Sequence, residues 1–189
     1  MDKAAVFRRV LHVVSPIWLA YYLIPPDSYI GVKRELLVVG MLIVIFVAEA
    51  LRIGLKLKIP GIRDYEQKRP AAYALGGLGI GLGLVFFPLP VTAVAVCGMA
   101  WVDPICWATK KGGAYPIIPL IVYFDMAVMF FLFANYYPMN SIAYGAVGSL
   151  VAIAAEKPNL KLIDDDFAMI IVPLLVLGAL TYFFGGLLP

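Results

Sequence analysis

Three consecutive carboxylates, Asp164, Asp165 and Asp166, stand just before an apolar run in the stretch EKPNLKLIDDDFAMIIVP, which opens with Glu156. Carboxylates this close repel one another unless positive charge arrives. Alone, the stretch reads as a solvated acidic cap on a helix N-terminus, where negative charge suits the macrodipole. The sharper reading is half of a divalent-metal or metal-nucleotide site, since hard cations take carboxylate and phosphate oxygens.

Other residues supply what such a site needs. Asp103 lies in the apolar segment Trp101-Val102-Asp103-Pro104, seven residues before Lys110 and Lys111. At the helical rise it sits about 10 Å below that lysine pair. A carboxylate in an apolar span costs about 3 kcal/mol on insertion scales and by default marks a function or a partner. Pro104 adds a kink and leaves a carbonyl of the preceding turn unpaired. His12, the only histidine, shares a helical face with Arg8 and Ser15. The longest connection, residues 52 to 70, is strongly basic; Arg63 and Arg69 have the bidentate geometry for phosphate that its lysines lack, whereas Lys56 and Lys58 read as attraction to anionic lipid. Asp125 is the deepest acid, midway along its apolar run. It reads as paired with His12 or an arginine, as catalytic, or as a mark of an ion path.

These residues must be positioned by membrane helices. The chain of 189 residues is 63% hydrophobic and 14% charged, with a mean hydropathy of +0.93, which excludes an ordinary soluble domain. Seven apolar runs are read near 8 to 25, 35 to 52, 71 to 87, 89 to 109, 115 to 135, 140 to 155 and 168 to 187. Runs of this length without period-two alternation are helices. The expected fold is an all-α polytopic membrane protein, about seven transmembrane helices in one bundle, with residues 1–189 forming a single transmembrane domain. The first run lacks a small-residue cleavage site and is read as a retained span. Prolines in Phe87-Pro88-Leu89-Pro90 and Tyr137-Pro138 mark tight hairpins. The glycines between Gly76 and Gly83, and the small face Ser141, Gly145, Gly148 and Ala152, read as helix-packing surfaces. Cys97 and Cys106 share one apolar run and make no disulfide framework.

Counting lysine and arginine by loop gives a strong asymmetry. Thirteen fall on one side, and Lys33 and Arg34 alone on the other. Cytoplasmic loops retain these residues, so the N-terminus is expected in the cytoplasm. The acids sort the same way: Glu49, Asp64, Glu66, Asp103, Glu156 and Asp164 to Asp166 gather at the basic face. One-sided polarity suits an enzyme acting on lipid head groups with a soluble co-substrate better than a channel.

In order and spacing, these residues resemble the CTP-dependent polyprenol kinases, which include dolichol, phytol and yeast-type diacylglycerol kinases, within a wider group containing the CDP-diacylglycerol synthases. The resemblance rests on Arg8-Arg9-Val10-Leu11-His12, Glu49-Ala50-Leu51-Arg52, Lys68-Arg69-Pro70, Val102-Asp103-Pro104, Glu156 and Asp164-Asp165-Asp166-Phe167. Where the family carries Gly-Lys-Ser-x-Glu-Gly this chain has Lys110-Lys111-Gly112-Gly113-Ala114-Tyr115, and Asp166 replaces a family asparagine. The resemblance implies transfer of the γ-phosphate of CTP to an isoprenoid alcohol at the cytoplasmic membrane face. It implies Mg²⁺ on Asp103, Asp165 and Asp166, the triphosphate on Arg69, Lys110 and Lys111, and a catalytic set of His12, Asp103 and Glu156, with His12 or Glu156 positioning or deprotonating the lipid hydroxyl. Expected partners are CTP, a lipid substrate and the membrane, with no nucleic acid. A cytidylyltransferase making a CDP-lipid, and a small ion-coupled transporter using Asp125 and His12, remain as alternatives. Neither the lipid acceptor nor the oligomeric state can be read from the residues.

Overall fold

A helix that is apolar on nearly every side has to be surrounded by other helices. The run Pro90–Cys97 is such a helix, and every residue in it is buried. It belongs to the rod Leu89–Gly112, made of α4 (Leu89–Cys97), a π-helical turn (Gly98–Val102) and α5 (Asp103–Gly112). Of the apolar window in this rod, 72% is buried, against 17% for α2 (Arg34–Gly54). The rod is therefore the centre of the molecule and α2 lies at its margin.

This computed structural model describes residues 10–27, 31–57, 59, 62, 66–156 and 164–185. Arg8, Arg9, Lys58, Arg63, Asp64 and the stretch 157–163 lie outside the described residues. Around the central rod stand α1 (Val10–Leu23), whose Ser15–Leu23 portion is wound as a 3-10 helix, and α3 (Ala72–Phe86), α6 (Ile117–Phe133), α7 (Pro138–Glu156) and α8 (Asp165–Phe184). α4 packs against α1, α3, α6 and α8, while α2 pairs with α3 and α7 lies between α6 and α8. Among the described residues all elements are helical. Four of these units, Arg34–Gly54, Leu89–Gly112, Pro138–Glu156 and Asp165–Phe184, are long and apolar enough to cross a membrane; α1, α3 and α6 are shorter apolar helices. The chain is an all-α membrane protein.

Small residues set the spacing of these helices. A Cβ on Gly83 of α3 would stand 2.9 Å from Thr92 Cγ2, and one on Gly145 of α7 would stand 2.6 Å from Val128 Cγ2. Both small faces read from the sequence therefore lie at close helix contacts. Thr92, the one polar residue in α4, donates its hydroxyl to the Gly83 carbonyl at 2.9 Å. Tyr22 of α1 donates to the Phe87 carbonyl at 2.7 Å. These bonds tie α1 and α4 to the α3–α4 hairpin, whose connection is only Phe87 and Pro88.

The last helix begins at Asp165, not near residue 168 as the apolar run suggests. Acidic side chains are favoured in a first helical turn, so the helix extends into the acidic triplet. Asp164 takes the extended N-cap conformation, with φ −72° and ψ 145°, but its side chain makes no capping hydrogen bond.

Candidate active site at one end of the bundle

The site begins with a defect in the central rod. A π-turn widens the helix by one residue and frees backbone groups, and Pro104, just after it, brings no N–H to the ladder. The Met99 carbonyl inside this turn accepts a hydrogen bond from His12 Nε2 at 2.9 Å. A carbonyl oxygen only accepts, so the proton is on Nε2. This contact orients the imidazole and places Nε2 3.8 Å from Asp103 Oδ2, with Nδ1 3.7 Å from Asp166 Oδ2. Both separations are too long for hydrogen bonds. The first, central and last helices thus each send one polar side chain to the same point.

These three side chains are only partly covered, at 16% exposure for His12, 27% for Asp103 and 19% for Asp166. One ligating atom from each lies within 4.8 Å of the other two. Asp164, Asp165 and Asp166 form a second such group, so Asp166 belongs to both. The field on Asp103 comes from His12, Asp165, Glu156 and Lys110. The donors are carboxylate oxygens converging from two helices with one imidazole nitrogen beside them, a group that could hold a metal ion. The expected trio Asp103, Asp165 and Asp166 is thus spread over two overlapping groups, with His12 beside Asp103 and Asp166.

Lys110 and Lys111 are adjacent in sequence but point to different surroundings, because neighbouring helix residues are about 100° apart. Lys110 makes an ion pair and hydrogen bond with Glu156, the last residue of α7. The Tyr115 hydroxyl donates to the other Glu156 oxygen at 2.9 Å. Glu156 is nearly buried, at 5% side-chain exposure, while Lys110 is 47% exposed. The carboxylate is therefore held on two sides, and the ammonium keeps one face open. Burial, and then the Glu156 carboxylate, push the Tyr115 phenol above its ordinary range. Lys111 instead lies 3.9 Å above the exposed Trp107 ring, a cation-π contact on the outer surface. Gly113, at φ 74°, then ends α5 in the left-handed conformation that glycine adopts freely.

Arg69 is held through its backbone: its carbonyl accepts from Arg52 at 2.8 Å. Arg52 also grips Glu49 with two hydrogen bonds of 2.8 Å and donates to the Glu66 carbonyl at 2.9 Å. Glu49 accepts from the Ala71 amide at 2.6 Å and the Tyr73 hydroxyl at 2.5 Å. This knot fixes the chain as it enters α3. Sequence reasoning quoted Glu49 and Arg52 but gave them no part, and it missed Tyr73 and Tyr115. A buried Glu-Arg pair three residues apart has a legible spacing, whereas nothing in the sequence signals a tyrosine that reaches across to another helix.

Asp125 does not meet His12, which is engaged with Met99, Asp103 and Asp166. It lies on the exposed face of α6, because the buried face of that helix is taken by Tyr123, Ala127 and Phe131. Comparison with protein-family models, curated proteins and solved structures returned no match.

Proposed function

We propose that this chain is a CTP-dependent lipid kinase that moves the γ-phosphate of CTP to an isoprenoid alcohol. The observation that carries the reading is the convergence of His12, Asp103 and Asp166 from three helices, with Lys110 in electrostatic range of Asp103. Phosphoryl transfer needs alignment and charge neutralisation more than covalent chemistry, and acids opposite a lysine at the end of an apolar bundle offer both. The choice of CTP and of an isoprenoid acceptor rests on the sequence resemblance.

In this reading Asp103, Asp165 and Asp166 would hold Mg²⁺, which when bound offsets the charge of the triphosphate. Lys110 contacts the phosphates and Arg69 is a further cation, while Lys111, turned onto Trp107, is left out of the phosphate set that the resemblance implied. The lipid hydroxyl oxygen forms a bond to the γ-phosphorus while the bond to the β,γ-bridging oxygen breaks, and CDP leaves. His12 Nδ1 takes the hydroxyl proton, since Nε2 is committed to Met99. Glu156 has both oxygens engaged by Lys110 and Tyr115, so it acts as a positioning residue that aims the ammonium. The three shorter apolar helices complete seven crossings, and the lysine-rich end, with the site, faces the cytoplasm.

The exposed position of Asp125 argues against an ion path through the bundle. A cytidylyltransferase would use the same acids and lysine, and product labelling separates the two. The full-length protein in lipid vesicles is incubated with Mg²⁺, a polyprenol and CTP labelled either at the γ-phosphate or in cytidine. γ-Label in the organic phase is the expected result. Cytidine label there would establish the transferase instead, and neither label with any of CTP, ATP or GTP, across polyprenol, phytol, diacylglycerol and a lipid phosphate, would overturn both enzymatic readings.

A further inference from the structure

The segment of α1 that carries His12 is held to the bundle by little apolar burial. Val10, Leu11, Val13 and Val14 are 44–56% exposed, and the Ser15 hydroxyl, one turn beyond His12, makes no hydrogen bond. Two ring N–H groups span the gap instead. His12 Nε2 donates to the Met99 carbonyl of the π-turn at 2.9 Å, and Trp101 Nε1 of that same turn donates back to the Val13 carbonyl at 3.2 Å. Each helix thus gives the other one side chain and accepts on one carbonyl, and the two bonds fall on neighbouring residues of α1.

Both carbonyls are available for the same reason. N–H groups of a π-helix reach back five residues and those of a 3-10 helix three. The residue five beyond Met99 is Pro104, and the residue three beyond Val13 is Pro16, at the start of the 3-10 portion of α1. Proline brings no N–H, so each change of winding leaves one carbonyl without its ladder donor, and an unpaired carbonyl in an apolar bundle is costly. We propose that Trp101 is a positioning residue for His12: the two exchanged bonds clamp α1 to the π-turn, and without the indole N–H the imidazole leaves Met99 and its place beside Asp103 and Asp166. Trp101 is the exposed member of a turn whose other four residues are buried, so removing its N–H opens no cavity in the core. The clamp stands on geometry alone, while its effect on turnover rests on the kinase reading, in which His12 Nδ1 takes the hydroxyl proton.

Solid-state NMR of the full chain in lipid vesicles tests it. His12 is the only histidine and Met99 one of seven methionines, so ring-¹⁵N histidine combined with carbonyl-¹³C methionine reports the His12–Met99 bond as a dipolar contact, assigned by its loss in Met99→Leu. Replacing Trp101 by its benzothienyl analogue puts sulfur in place of the N–H and keeps the bicyclic ring. This change is expected to weaken the contact about threefold, the scale of one neutral hydrogen bond, and Trp101→Phe to do the same. In phosphate-transfer assays kcat should fall about tenfold with KM for CTP unmoved, as for a misaligned reacting group. Trp107→Phe, which removes the exposed indole under Lys111, should leave both readings unchanged. A contact untouched by the benzothienyl analogue, or weakened equally by Trp107→Phe, would overturn the proposal. A weakened contact with turnover unmoved would uphold the clamp and remove His12 from the proposed reaction, so the two failures are distinguishable.

Discussion

Two clusters of charge sit toward the same end of this bundle, and they are built on opposite principles. The Glu49–Arg52 knot is closed. Its partners are 1% and 3% exposed, joined by two hydrogen bonds of 2.8 Å, and the remaining Glu49 capacity goes to Ala71 and Tyr73. One charge of each sign is matched and both side chains are buried, the condition under which breaking the pair strands a charge. The His12–Asp103–Asp166 cluster is open. Its contacts of 3.7 and 3.8 Å fall short of hydrogen bonds, its members are 16–27% exposed, and its nearest lysine is already paired with Glu156. Acid exceeds base there. The first arrangement holds the chain together, while the second is the one that the proposed function would use for a cation and a phosphate.

Substitutions should separate the two clusters cleanly. The largest expected effect is on the open one: Asp103→Asn lowers CTP turnover about 10³-fold, the scale of losing a preorganised electrostatic group, with the thermal midpoint in detergent nearly unmoved. A comparable loss of stability at that position would place Asp103 with the structural knot instead. Arg52→Met should show the inverse, costing about 3–5 kcal/mol of stability by stranding a buried carboxylate, with the folded fraction retaining its turnover. Pairing it with Glu49→Leu should restore part of that stability, as measured by denaturation in detergent.

Smaller effects sharpen the boundary of the open cluster. Lys110→Met is expected to cut turnover about 10²-fold, against less than about threefold for Lys111→Met, which removes one surface cation-π contact. Similar losses at both would mean that Lys111 leaves Trp107 to meet the phosphates. The smallest effect is expected from Tyr115→Phe, about 1–2 kcal/mol for a hydrogen bond to a charged group. Because the folded-state Tyr115 phenol lies above its unfolded value, its contribution is complete below about pH 10 and is lost as pH rises through the folded value. The wild-type advantage over Tyr115→Phe should therefore hold through neutral pH and shrink only in strong alkali. An advantage that faded near neutrality would contradict the Tyr115–Glu156 bond.

Much of the fold was legible from residues alone. The seven apolar runs correspond to α1, α2, α3, the α4–α5 rod, α6, α7 and α8 within a few residues, because a membrane helix needs only length and apolarity. Asp103 was legible as a functional candidate because a lone acid beside a proline in an apolar run has no ordinary explanation. The π-turn was not, since a one-residue bulge leaves the hydrophobic pattern of a fully buried helix unchanged. The split between Lys110 and Lys111, and the outward face of Asp125, were equally hidden.

By itself the sequence determined that this is a helical membrane protein, that its charges gather toward one end, and which residue types stand ready there. Hydropathy and loop charge are sums along the chain, so they survive without coordinates. Only the tertiary structure decided that His12, Asp103 and Asp166 meet, that Glu156 serves Lys110, and that Asp125 looks away. The helical period fixes which residues share a face, but the rotation of each helix about its own axis is set by packing against its neighbours. That rotation determines whether a carboxylate faces a site or the lipid.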